Sequence, residues 1–170
     1  MKLAFDVQYY ESYAKTVCVI FSDWNDPEPT DIIIEEVKNV ASYIPGEFYK
    51  RELPCIQVIL KNLNLDVIEL IIVDGYVHLD DTKKFGLGGY LYTSLDNQIP
   101  VIGVAKSGFH NNKKHVRELL RGESVKPLYI TAIGIDLEEA TKAIQSMHGV
   151  YRMPTILQIV DTKTKETKSV

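Results

Sequence analysis

A chain of 170 residues, 45% hydrophobic and 25% charged, has the make-up of one globular domain and enough length to bury a core. It holds no apolar run of the roughly 18 residues that a membrane span needs. Its first ten residues show no basic start followed by an apolar stretch, so neither a membrane anchor nor a signal peptide is expected. The net charge of −4 does not announce a nucleic-acid binder, and any basic patch has to be local.

In chain order, Lys2 to Tyr9 alternates loosely and reads as a strand. Lys15 to Phe21, rich in β-branched and aromatic residues, reads as a second. Pro27 and Pro29 mark a turn. Asp31 to Val40 is read as a third strand, at least to Ile34, with a short helix as the alternative because Ile33, Glu36 and Val37 have helical spacing. After a loop at Tyr43 to Gly46, apolar residues near helical spacing run from Phe48 to Asn62. Pro54 is tolerated only in a first turn, so that helix is predicted to begin near Leu53. Val67 to Val73 is a continuous apolar run, as in a strand covered on both faces. Phe85 to Asp96 reads as a helix, Val101 to Ala105 as a buried strand, Lys113 to Arg121 as a helix and Pro127 to Ile133 as a strand. Leu137 to Met147 is a helix with Asp136 as its N-cap, and Thr162 to Val170 is a frayed tail. Early strands followed by alternating strands and helices predict an α/β fold: a mixed central sheet with helices on its faces, in one domain over residues 1–170.

Cys18 and Cys55 sit in apolar surroundings with no metal-ligand spacing and are expected to be buried free thiols, which suits a reducing cytoplasm. The densest basic stretch is His110 to Lys126, with Lys113, Lys114, His115, Arg117, Arg121 and Lys126. It reads either as a nucleic-acid patch or as a solvated face.

Three acids stand out by position. Asp6 lies inside the first strand, Asp74 ends the most hydrophobic one, and Glu52 stands at the start of the first long helix. Carboxylates in such places are costly unless paired or metal-bound. If their oxygens converge, they suit Mg²⁺, which can activate water and offset phosphodiester charge. Separate structural roles account for them equally: a bulge residue, a helix-start charge and a turn residue.

Four stretches, in order, resemble the endonuclease V pattern. They are Asp6-Val7-Gln8-Tyr9, then Tyr43-Ile44-Pro45-Gly46 with a following Arg51-Glu52, then Val73-Asp74-Gly75, and Pro100 to Ser107 (PVIGVAKS). Tyr151-Arg152-Met153-Pro154 is similar to the family's final Arg-Leu-Pro. The resemblance implies an RNase H-like three-layer fold and an Mg²⁺-dependent endonuclease, with Mn²⁺ as a substitute ion. It implies hydrolysis on the 3′ side of a deaminated purine, deoxyinosine or inosine, in DNA or RNA, as in DNA repair, by a chain favoured to be monomeric. Asp6, Glu52 and Asp74 would hold the metal, and Lys106 would face the scissile phosphate. Tyr43 would wedge into the base stack, with Pro45 and Gly46 stiffening its loop, and Gly46 and Gly75 would let backbone approach the flipped base. The sequence departs from the family in two places. Where a Gly-His-Arg motif with an active-site histidine is expected, Ile130 to Asp136 has no histidine, and Asp136 is the candidate substitute. The histidines after Val-Asp-Gly reduce to His78. Two alternatives stay open: a nucleic-acid-binding relative without turnover, and a phosphohydrolase of small nucleotides.

Overall fold

The computed structural model describes residues 1–42, 44–45, 47 and 49–166. The order of elements is β1 (Lys2–Tyr9), β2 (Tyr13–Phe21), β3 (Asp31–Lys38), α1 (Tyr49–Leu60), β4 (Leu70–Asp74), α2 (Leu87–Ser94), β5 (Val101–Ala105), β6 (Arg117–Leu119), β7 (Leu128–Ile133), α3 (Leu137–Ser146) and α4 (Thr155–Lys165). Among the described residues the strands form one sheet in the order β3-β2-β1-β4-β5-β7-β6. The first three strands are an antiparallel meander. β1, β4 and β5 run parallel at the centre, and β7 and β6 pair antiparallel at the far edge.

Strand alternation builds the layers. Leu3, Phe5, Ile71, Val73 and Val101 face a core closed by Ile56 and Ile59 of α1 and by Leu87 and Leu91 of α2. Ala4, Ile72, Ile102 and Val104 face the opposite core, closed by Ala140 and Ile144 of α3 and by Ile156, Leu157 and Val160 of α4. The expected mixed sheet with helices on both faces is therefore what the chain forms. β4 and β5 are buried along nearly their whole length, as their apolar runs require. Cys18 and Cys55 are buried free thiols.

β3 is the third strand that was expected, running through Lys38 rather than turning helical. Other elements differ from the sequence reading. α1 begins at Tyr49, not near Leu53, and keeps Pro54 inside it. The helix tolerates this because Pro54 removes a single rung, its own missing N–H to the Lys50 carbonyl, while Cys55, Ile56, Ile59 and Leu60 bury the rest against the sheet. Lys113 to Arg121 is not helical. It enters the short edge strand β6, whose Leu119 pairs with Leu128. The tail expected to fray from Thr162 is helical through Lys165, because Ile156, Leu157, Val160 and Thr164 are buried on one side of α4. No helix among the described residues is long and apolar enough to cross a membrane.

Candidate active site

The register of the central strands decides which side chains meet. Phe5 pairs with Val73, and Asp74 pairs with Val104. Asp6, Asp74 and Lys106 thus fall at the carboxyl ends of three adjacent parallel strands. By alternation all three project to the face covered by α3 and α4. Asp161 of α4 approaches from that side. A cavity of about 20 Å³ lies between Asp6, Asp74, Lys106 and Asp161, room for about one water molecule. Glu52 comes from α1 across the end of the sheet. It lines a larger cavity of about 380 Å³, to which Asp74 and Lys106 also contribute.

The electrostatics record the crowding. Burial, then repulsion from Asp74, push the Asp6 carboxyl up to about 7, although the Val7 N–H donates to its Oδ1 at 2.9 Å. Burial, then the charges of Asp6 and Asp74, push Glu52 up to about 8. Asp74 shows more surface to solvent than the other two, yet it too is raised, by the protein packed around its carboxyl. Asp161 behaves differently. Burial works against its charge, but Lys165 and Lys106 donate to its two oxygens at 3.0 and 3.1 Å and hold it below the usual carboxylate range. Lys106 is raised in turn, because its Asp161 bond and the charges of Asp74 and Asp6 outweigh its burial. Arg152 fixes the Lys106 backbone by donating to its carbonyl at 2.7 Å.

Among the described residues, no group of three or more His, Cys, Asp or Glu side chains is placed so that it could hold a metal ion as it stands. The donor chemistry nevertheless fits a hard divalent cation. Asp6, Glu52 and Asp74 are carboxylates; Asp74 raises the proton affinity of Asp6, both raise that of Glu52, and a shared cation would relieve that repulsion. The small cavity between Asp6 and Asp74 has room for an ion.

The turn after Asp74 shapes the larger cavity. Gly75 has φ +137°, a backbone that side chains rarely adopt. Its carbonyl packs so closely on β5 that a Cβ at Gly103 would fall 2.5 Å from it. The Val77 N–H donates to Thr131 Oγ1 at 2.8 Å, tying this turn to β7. The cavity walls are largely aromatic and backbone: Tyr49, Tyr76, Phe85 and Phe109, with Gly75 and Gly86. Tyr76 is anchored by its hydroxyl, which donates to the Ser107 carbonyl at 2.6 Å.

The endonuclease V family model matches residues 3–162. The chain belongs to the endonuclease V family. Curated endonuclease V proteins similar to it include that of Bacillus thuringiensis subsp. konkukian, 24% identical over 90% of this chain and 73% of the relative. That of Clostridium acetobutylicum is 26% identical over 89% and 73%. The catalytic domain of human endonuclease V superposes with a TM-score of 0.78 at 21% identity, covering 96% of this chain and 80% of the other. Ciona intestinalis endonuclease V, in complex with a 23mer DNA containing an inosine followed by a ribo-adenosine, gives 0.77 at 20% identity, covering 96% and 83%. These structures confirm the RNase H-like fold.

Within this endonuclease V framework the fold brings together Asp6, Glu52, Asp74, Gly75 and Lys106 and leaves other candidates outside. Tyr43 and Gly46 lie outside the described residues, and Pro45 is exposed in the turn before α1. His78 does not line the larger cavity. It is buried between the rings of Phe85 and His115, at 5.9 and 5.7 Å, and burial lowers its pKa. Asp136 is at the wrong end of the sheet. It follows Ile133, which pairs with Val101 at the start of β5, a full strand of roughly 15 Å from Lys106. There it caps α3, accepting from the Glu139 N–H at 3.1 Å. It therefore does not substitute for a site histidine, and the stretch lacking that histidine is remote from the carboxylates. Asp161 is the acid that sequence reasoning missed. Its local signal was the helical spacing of Ile156, Leu157 and Val160, which turns one side of this segment to the sheet. The supposed basic patch also dissolves in part. Arg121 is buried, donating to the carbonyls of Met147, Gly149, Tyr151 and Arg152, and Arg117 pairs with Glu138.

Proposed function

We propose that this chain is a divalent-metal-dependent endonuclease that hydrolyses a phosphodiester on the 3′ side of a deaminated purine, deoxyinosine or inosine, in nucleic acid. The observation that carries the reading is the meeting of Asp6, Glu52 and Asp74 at one end of the sheet, beside Lys106 and at the edge of an aromatic cavity of about 380 Å³. That volume is in the range of ligand pockets. The family membership and the inosine-containing DNA bound by the Ciona relative support the substrate class.

Asp6, Asp74 and Glu52 would hold the cation. When bound, Mg²⁺ supplies a Lewis acid that activates water and offsets charge on the phosphodiester. Lys106 offers a positive charge beside the same carboxylates, and Asp161 and Arg152 keep it in place from either end of the residue. Tyr76, Phe85 and Phe109 offer faces against which an unstacked base can lie, and the bare backbone at Gly75, with open space beside it, allows close approach to its edges. Tyr43, with Pro45 and Gly46 beside it, remains the proposed wedge that opens the stack.

The test is cleavage of an inosine-containing strand in Mg²⁺ or Mn²⁺, beside an undamaged strand, a chelated sample and Asp74→Ala. Cutting that needs inosine, the metal and Asp74 is the expected result. Retention of the strand without cutting, or hydrolysis of free nucleotides alone, would overturn it.

A further inference from the structure

Glu52 stands on a turn of its helix that Pro54 weakens. Pro54 cannot donate to the Lys50 carbonyl, so the first turn of α1 lacks a rung. This turn brings a third carboxylate towards Asp6 and Asp74, which repel it. Something other than the helix ladder must hold it there.

Two face-to-face contacts do so. The ring of Tyr49 stacks on Tyr90 of α2, centroids 3.7 Å apart and planes 21° from parallel. Tyr90 is backed in turn by the edge of Phe85 at 5.6 Å. On the next residues, the Arg51 guanidinium lies 3.4 Å from the centre of the Tyr9 ring, three residues beyond Asp6 on β1. At about 100° per residue, Tyr49 and Arg51 leave the helix on opposite sides, with Glu52 following directly. Hydrogen bonds do not explain the second contact. Arg51 Nε and the Tyr9 hydroxyl are both buried with no partner among the described residues.

We infer that the Tyr49–Tyr90 and Arg51–Tyr9 stacks are positioning pairs that grip the first turn of α1 from two sides and hold Glu52 at the metal site against its acidic neighbours. The inference rests on the metal-dependent reading above and deepens it. Neither Tyr90 nor Tyr9 lines the larger cavity. They act through Tyr49 and Arg51.

The experiment compares Tyr90→Ala with Tyr90→Phe, and Tyr9→Leu as a second break, by two measurements. The first is hydrogen–deuterium exchange over residues 49–53 in chelator, where the metal plays no part. The second is Mn²⁺ binding by calorimetry. Tyr90→Ala should speed exchange in that turn about tenfold and weaken Mn²⁺ binding about tenfold. β4 should stay protected, which shows that the variant is folded. Tyr90→Phe, which keeps the stacked face, should match the parent in both, and Tyr9→Leu should repeat the alanine result. Unchanged exchange and unchanged Mn²⁺ affinity in Tyr90→Ala and Tyr9→Leu would overturn the inference. If the parent chain binds no Mn²⁺, the metal reading falls, and faster exchange over residues 49–53 still decides whether the stacks grip the turn.

Discussion

Towards the carboxyl ends of β1, β4 and β5, Asp6, Glu52, Asp74 and Asp161 gather around Lys106. At the opposite end of the same sheet, Asp136 caps the start of α3. Both groups follow strands and both border helices, yet the protein treats them in opposite ways. Asp136 is exposed and accepts the hydrogen bond that a helix N-terminus offers. Asp6 and Glu52 are half-buried, repelled by each other and by Asp74, and driven up to about 7 and 8. A satisfied carboxylate is explained by the fold it stabilises. A frustrated cluster is not, and crowding of this kind at the edge of a cavity points to a site that acts on something else.

Removing one acid from each end of the sheet separates the two cases. Asp74→Ala should lower inosine-strand cleavage about 10³-fold or more, the effect of losing several kcal/mol of charge stabilisation in the transition state. Asp136→Ala should leave cleavage at the parent level. Equal losses would mean that the far end takes part in the chemistry. Stability should move the other way. Asp6→Asn removes a desolvated charge that its neighbours oppose, so in chelator its Tm should rise by about 3 °C, roughly 1 kcal/mol for a chain of this size. Calorimetry checks it, and a lower Tm would show that Asp6 is held by partners rather than strained by them. Asp136→Ala should lower Tm by a similar amount, the usual cost of about 1 kcal/mol for an N-cap.

The sequence made one end of the molecule more readable than the other. Buried strands declare themselves by composition, so β4 and β5, with Asp74 and Lys106 at their ends, were legible, as was α3 with its Asp136 cap. Asp136 was misjudged as a site candidate because the direction of β7 is a fact of pairing. Only its antiparallel register with β5 sends the residues after Ile133 away from Lys106. Asp161 was missed for the reverse reason. It comes to Asp6 from 155 positions along the chain through the packing of α4 on β1, and the Lys- and Thr-rich end of that helix looks solvated when read alone. The charges between His110 and Lys126 misled in the same manner. Nothing local distinguishes Arg121, whose guanidinium turns inward to four carbonyls, from a lysine at the surface.

A smaller effect comes from His78, whose charged form is disfavoured by the same kind of burial that strains the acids. Burial first, then the neighbouring His115, hold its pKa below the usual histidine value of 6.5. The folded state therefore binds fewer protons at this residue than the unfolded chain does. The stability it contributes is present above about pH 6.5 and is lost as the pH falls through its lowered folded value. His78→Gln should flatten that part of the Tm-against-pH curve, which calorimetry across the pH range checks. Cleavage at neutral pH should persist, because His78 does not line the cavity shared by Glu52, Asp74 and Lys106. A large loss of cleavage in His78→Gln without loss of fold would move the boundary of the site past Phe85 to include this ring.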